Sequence, residues 1–190
     1  MKALEEKILK EGKVLPGHIL KVGSFLNHQM DPDFLMEMGK EIADKFANDG
    51  VTKILTVEAS GIAIAVAAGA HMHVPAVFAK KNKTGNLSGD VYAADVHSYT
   101  HNRDYTIVVS KDYIKENDVV LLVDDFLANG AALDGMIEIV KQAGAKVAGA
   151  SCAIEKGFQG GGDKLRAQGY KIESLAIVET MSDDGLTFRA

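Results

Sequence analysis

The sequence has a single cysteine and no apolar segment long enough to cross a membrane. With only Cys152, no disulfide can form within the chain and a cysteine-rich metal site is excluded. Its apolar surroundings predict a buried, inert thiol. The longest apolar run, residues 61–70, is far shorter than the ~20 residues of a spanning helix. The N-terminal stretch MKALEEKILKEG lacks the apolar core of a signal peptide. We therefore expect a cytoplasmic protein without a membrane partner.

Basic charge is not in excess either. The 21 lysines and arginines are outnumbered by 26 aspartates and glutamates, and the net charge is −5. A nucleic-acid-binding surface usually has a basic excess on one face, so no nucleic-acid partner is expected. A small anionic ligand needs only local donors and stays compatible with this balance. The chain of 190 residues has no repeat or flexible linker, and 47% of it is hydrophobic, which predicts one domain with a substantial core.

Buried strands and helices alternate along most of the chain. The helix that begins at Asp31-Pro32 has a capping residue followed by proline, with apolar residues at helical spacing after them. Repeated strand–helix units predict an α/β fold with a mostly parallel sheet flanked by helices, and such sheets bind ligands at the carboxyl ends of their strands. The predicted strands are 53–57, 75–79, 119–123, 146–154 and 171–178, and the predicted helices after the first long one are about 61–72, 130–143 and 163–168.

Two regions depart from the alternation. Residues 14–30 are predicted to be an extended stretch that forms a small hood over a site, together with the C-terminal part of the chain. Residues 80–104 are polar and contain glycine, and we expect a flexible flap that ends in a hairpin, with a strand at 105–109. Long irregular segments of this kind often cover active sites. We expect His97 and His101 to lie on the flap surface and not to bind a metal.

The segment VVLLVDDFLANGAAL, residues 119–133, carries the chemistry. Its buried strand brings Asp124 and Asp125 to the ligand-binding edge of the sheet. The small-residue turn after it opens a helix, so its backbone N–H groups can hold a phosphate. A ribose 5-phosphate would satisfy both features. The alternatives are a helix cap beside a solvated acid, or a response-regulator acidic pocket, whose acids follow the first strand and not a late one. The predicted phosphate-binding residues are Ala128, Asn129, Gly130, Ala131 and Ala132.

This segment resembles the phosphoribosyl-pyrophosphate (PRPP) motif of type I phosphoribosyltransferases, although Asn129, Ala131 and Ala132 stand where many members have threonine or serine. The resemblance implies the type I fold, with a second loop for pyrophosphate and a flap whose basic and hydroxyl side chains, Lys81 among them, close over it. Magnesium would be held mainly by substrate oxygens and not by dedicated protein ligands. The loop residues in that place are Glu58, Ala59, Ser60 and Gly61, which could equally be a plain strand-to-helix turn capped by Ser60.

Nearly the whole chain resembles the bacterial xanthine phosphoribosyltransferase family. The resemblance is carried by HILKVGSFLNHQMDP, TVEASGIA, DDFLANGAA and IEKGFQGG. It implies a homodimer that converts xanthine and PRPP to xanthosine 5′-monophosphate and pyrophosphate. It also implies that Leu20, Asn27 and Lys156 contact the base, whose exocyclic oxygens need donors, while Phe158 could stack on its face.

Two other functions stay open at this point. One is the same reaction with guanine, hypoxanthine or adenine as the base. The other is a purine-responsive regulator that binds PRPP without reacting it. Such regulators carry a DNA-binding domain before this fold, and the residues before the helix at Asp31-Pro32 are too few and not basic enough for one.

Overall fold

The structure is a computed structural model that describes residues 1–82, 90–98, 103–182 and 185–189. Two single turns, a π-helical turn (Gly23–Asn27) and a 3₁₀ turn (Gly157–Gln159), accompany the regular elements. The helices are α1 (Lys2–Glu11), α2 (Pro32–Lys45), α3 (Gly61–Met72), α4 (Ala131–Gln142) and α5 (Gly161–Ala167). The strands are β1 (Lys13–Leu15), β2 (Ile19–Lys21), β3 (Lys53–Val57), β4 (Ala76–Asn82), β5 (Val91–Ser98), β6 (Arg103–Ser110), β7 (Val119–Leu127), β8 (Lys146–Lys156), β9 (Ile172–Ser182) and β10 (Gly185–Phe188).

One twisted sheet organises the described part of the chain. Its strand order is β10-β9-β8-β7-β3-β4-β6-β5. The five middle strands are parallel, while β10 at one edge and the β6–β5 hairpin at the other are antiparallel. The predicted mostly parallel α/β fold is therefore confirmed. On β7, the fully buried Leu121 and Leu122 contribute to different apolar clusters, as expected for a strand covered on both faces.

The helices form where the sequence pattern predicts them. At the start of α2, Asp31 Oδ1 accepts a hydrogen bond from the Phe34 N–H at 3.2 Å, and Pro32 takes the first helical position. The helices α2 and α3 pack closely because a side chain on Gly39 would lie 2.5 Å from the Ala67 backbone. Among the described helices none is long and apolar enough to span a membrane.

The predicted hood is more regular than an extended stretch. β1 and β2 form a hairpin in which Val14 pairs with Leu20, and the π-helical turn follows it. At the hairpin turn Gly17 has φ +82°, a left-handed conformation that suits glycine. The hood therefore has its own backbone hydrogen bonds, which hold Leu20 and Asn27 at defined positions.

The predicted flap region is also largely strand. β4 continues to Asn82, and β6 pairs with both β4 and β5, so the hairpin extends the main sheet. The predicted flap residues 83–89 and 99–102 lie outside the described residues.

The end of β7 also differs from the prediction, because the strand ends at Leu127 and not at Val123. Its pairing with β8 continues past the apolar run, from Asp124 opposite Cys152 to Leu127 opposite Glu155.

Candidate active site

Asp124 and Asp125 lie near the carboxyl end of β7, in the middle of the sheet. Asp124 is 8% exposed, and its Oδ1 accepts a hydrogen bond from the Asp125 N–H at 2.9 Å. Burial, and next the adjacent Asp125 carboxylate, raise the pKa of Asp124 well above the ordinary aspartate value. Cys152 stands opposite Asp124 in the register and is fully buried, and burial raises the pKa of its thiol. That environment suits the inert thiol predicted from the sequence.

The loop after β7 presents backbone donors to a cavity of about 400 Å³. Gly130 has φ +90° and leads into α4, while Asn129 Oδ1 accepts the Ala131 N–H at 3.1 Å. The next two N–H groups, of Ala132 and Leu133, have no acceptor among the described residues, as is usual in the first turn of a helix. Both residues line the cavity together with Asp124. This arrangement can hold an anion beside a carboxylate.

The loop from Glu58 to Gly61 borders a second, smaller cavity of about 130 Å³. Asp124 and Asp125 both line this smaller cavity, and Asp124 also lines the first one, so the Asp124 carboxylate lies between the two spaces. Glu58 Oε1 accepts the Lys81 N–H at 2.6 Å, which ties the loop to β4. The side chain of Ser60 makes no capping hydrogen bond to α3, so the alternative of a plain Ser60-capped turn is not what the structure shows. A side chain on Gly61 would lie 2.1 Å from Thr56 Oγ1, so this turn requires glycine.

Tyr105 lines both cavities, and no sequence pattern predicted it there. It comes from β6, and the Lys81 ammonium lies 5.2 Å from the centre of its ring. Burial, and then the Asp124 carboxylate, raise the pKa of Tyr105. Ile19 and Phe126 line the cavity beside the loop after β7 and were not predicted either. The available signal was positional, because Tyr105 is the first residue of the strand predicted after the flap and Phe126 directly follows the acid pair.

The residues predicted to contact the base lie on the hood side of the carboxylates. Leu20 is buried, and with Asn27 it lines a further cavity of about 500 Å³. Asn27 Nδ2 donates to Asp125 Oδ2 at 3.3 Å. Lys156 Nζ donates to the His18 carbonyl at 2.9 Å and lies 5.7 Å from the centre of the Phe126 ring; burial lowers the pKa of this lysine.

Phe158 stands apart from these three cavities. Its ring packs on the His18 ring with centroids 5.4 Å apart, and 38% of the residue is exposed. On the β5–β6 hairpin the His97 ring contacts the Asp104 carboxylate at 2.5 Å. Within the described residues, no group of three or more histidine, cysteine, aspartate or glutamate side chains is placed to hold a metal by itself. Paired carboxylates are nevertheless oxygen ligands that magnesium accepts alongside phosphate oxygens, so the site fits a substrate-held ion.

Comparison with known proteins agrees with this geometry. The model of the phosphoribosyl transferase domain matches residues 31–180, so the chain belongs to the phosphoribosyltransferase family. A xanthine phosphoribosyltransferase of Heliobacterium modesticaldum is 52% identical over 188 residues, which cover 99% of this chain and 100% of that protein. Xanthine phosphoribosyltransferase 1 of Clostridium perfringens is 52% identical over 190 residues and is covered completely, as is this chain.

Solved structures confirm the fold. An adenine phosphoribosyltransferase of Rhodothermus marinus superposes with a TM-score of 0.75 at 21% identity, covering 94% of this chain and 100% of that one. An adenine phosphoribosyl transferase of Trypanosoma brucei gives a TM-score of 0.77 at 18% identity, with 96% and 83% covered. At these identities the likeness concerns the fold alone, and it is the type I phosphoribosyltransferase fold predicted from the sequence.

Proposed function

We propose that this protein transfers the 5-phosphoribosyl group of PRPP to N9 of xanthine, giving xanthosine 5′-monophosphate and pyrophosphate in purine salvage. The observation that carries the reaction is the acid pair beside two cavities, each bordered by a loop at the start of a helix: Asp124 lines both cavities and Asp125 the smaller one. PRPP has the matching order of groups, with a phosphate at one end, ribose hydroxyls in the middle and pyrophosphate at the other end. The choice of xanthine is supported by relatives of that name at 50–52% identity.

Asp124 and Asp125 would accept hydrogen bonds from the ribose hydroxyls. The reaction develops positive charge on the ribose ring as the bond to pyrophosphate breaks, and fixed carboxylates stabilise such charge most effectively where water is excluded. Burial has removed most solvent donors from Asp124, so the ribose hydroxyls would supply donors that this carboxylate lacks in the free protein.

The two ends of PRPP would be held by backbone groups. Residues 128–132, with the unused N–H groups at the start of α4, would bind the 5-phosphate. The Glu58–Gly61 loop and the Lys81 ammonium would bind the pyrophosphate. Magnesium, held mainly by PRPP oxygens beside the acid pair, would neutralise part of the pyrophosphate charge.

The base would lie between the hood and Lys156. Xanthine carries two exocyclic oxygens, and Lys156 Nζ and the Asn27 amide are donors on that side of the carboxylates. Leu20 would contribute an apolar wall. Phe126 lines the cavity beside the loop after β7, whereas Phe158 contacts His18. Stacking by Phe158 on the base remains a prediction that requires this side chain to move.

A homodimer is the proposed assembly. Val66, Ala70 and Ala76 line a shallow apolar pocket, and Phe78 follows two residues along β4 on the same face as Ala76. Val66 is 57% and Phe78 41% exposed, and exposed apolar groups of this kind commonly mark interfaces. The helix α3 that carries Val66 begins at the proposed pyrophosphate loop, so a partner on this face would support that loop.

The reaction is tested by measuring pyrophosphate release with PRPP, magnesium and each of four purine bases. We expect the highest kcat/KM with xanthine. Fastest turnover with adenine, guanine or hypoxanthine would refute the choice of xanthine and leave the transferase intact. If the protein binds PRPP but turns over none of the four bases, the catalytic assignment fails and a PRPP-sensing role replaces it.

A further inference from the structure

The amide of Asn27 contacts the carboxylate that would bind the ribose. Its Nδ2 lies 3.3 Å from Asp125 Oδ2, across 98 positions of sequence. A carboxylate only accepts hydrogen bonds, so the NH₂ group of the amide must be the side that faces Asp125. The contact therefore fixes which edge of the Asn27 amide points toward Asp125.

Asn27 is held rigidly enough to position a partner. It ends the π-helical turn, and the two residues before it, Phe25 and Leu26, are fully buried. The Phe25 carbonyl accepts the N–H of Asp31 at 3.1 Å, and Asp31 caps α2. The Phe25 ring also packs edge-on against Phe34 in α2. The turn thus joins the hood to the first long helix, and its amide is directed by packed neighbours.

Asp125 also contacts the neighbouring Asp124, through its backbone and its side chain. Its N–H donates to Asp124 Oδ1, which orients the backbone and leaves the Asp125 carboxylate to be placed by its own contacts. The neighbouring Asp124 carboxylate repels it. A donor from Asn27 offsets that repulsion and selects one side-chain orientation.

We propose that Asn27 is a positioning residue for Asp125, in addition to any contact it makes with the base. This inference rests on the proposed function. Through Asn27 the hood orders the ribose-binding carboxylate before a base arrives. One N–H of the amide is committed to Asp125, which leaves the other N–H and the carbonyl for the base. Asn27 therefore strengthens PRPP binding even without a base, which a residue that only recognises xanthine would not do.

The test is the affinity for PRPP with magnesium and no base, measured by calorimetry. We expect Asn27→Ala to weaken PRPP binding roughly tenfold, the scale of one hydrogen bond to a charged group. Asn27→Asp should weaken it further because it adds a third carboxylate. Asn27→His, which restores an N–H donor at similar reach, should recover part of the loss. Gln29→Ala is the matched control, because its amide donates to the Ser24 carbonyl in the same segment.

Kinetics with two purine bases give a second readout. A positioning role lowers kcat/KM for both bases, since both reactions use Asp125, and a contact of Asn27 with the base adds a further loss for xanthine alone. Unchanged PRPP affinity in Asn27→Ala, with a loss confined to the KM for xanthine, would overturn the inference and leave a base contact only. An equal loss in Gln29→Ala would also overturn it, because the effect would then come from the turn. If the unaltered protein binds no PRPP, the proposed function itself fails, and that outcome is distinct from the others.

Discussion

Asp124 combines a buried position with a proposed role that needs a carboxylate. In the fold its ionised form has lost solvent and lies beside Asp125, and both effects raise its pKa above the ordinary value of 3.8. Between pH 3.8 and the raised pKa, unfolding therefore releases a proton, and the stability of the fold falls as pH rises through that window. Above it, the buried charge destabilises the protein at a constant level.

Asp124→Asn separates the effect of the buried charge on stability from the role of the carboxylate in catalysis. Removing the charge should raise the melting temperature at neutral pH, and the gain should vanish as the pH falls to the ordinary aspartate value. Turnover should drop roughly 100- to 1000-fold, the usual cost of losing one preorganised electrostatic contact. Melting curves across pH, together with steady-state kinetics, measure both.

Asp125→Asn is the control for Asp124→Asn. Asp125 is only partly buried, so its amide variant should lose turnover without the same gain in stability. Wild-type turnover in Asp124→Asn would contradict the catalytic role, and an unchanged melting temperature at neutral pH would contradict the account of burial.

At the scale of elements, α5 supports the proposed phosphate loop through a close backbone contact. A side chain on Gly161 would lie 2.4 Å from the Ala128 carbonyl oxygen and 2.6 Å from the Gly130 nitrogen. The Gly161 N–H also donates to the Ala128 carbonyl at 3.1 Å. The loop therefore takes its position from the start of a helix later in the chain.

Gly161→Ala should displace this loop while its residues and donors stay the same. A shift of about 1 Å in a positioning element can cost up to 100-fold, so we expect the KM for PRPP to rise at least about tenfold. Steady-state kinetics measure it. Ala167→Ser, exposed at the far end of α5, should leave the KM unchanged. A normal KM in Gly161→Ala would mean that the loop does not bind PRPP or tolerates the shift.

Sequence pattern predicted the parts of the site that are local in the chain. The acid pair and the loop to Ala132 lie within one strand–turn–helix segment, where apolar runs, small residues and capping rules apply directly. The contact of Asn27 with Asp125 joins positions 98 apart, and Tyr105 reaches the site through β6 pairing, so no local pattern identifies either. The end of β7 was missed for the same reason, since its pairing with β8 decides where it stops.

At the scale of the whole molecule, the apolar face on α3 and β4 lies next to the proposed pyrophosphate loop. Val66 is 57% exposed on α3, a helix that begins directly after Ser60. A second copy that covers this face would hold the loop in place and remove apolar surface from water, which favours association. Assembly and pyrophosphate binding are then coupled, and a change at the interface should affect both.

Val66→Asp tests this coupling. A carboxylate in an apolar interface loses its hydration without a partner, so we expect the proposed dimer to dissociate and the KM for PRPP to rise. Light scattering after size-exclusion chromatography measures the mass, and steady-state kinetics measure the KM. Leu9→Asp makes the same change at another exposed apolar residue, 63% exposed on α1, and should leave the dimer intact. A dimer that persists in Val66→Asp, or one that dissociates equally in Leu9→Asp, would contradict the assignment of this face.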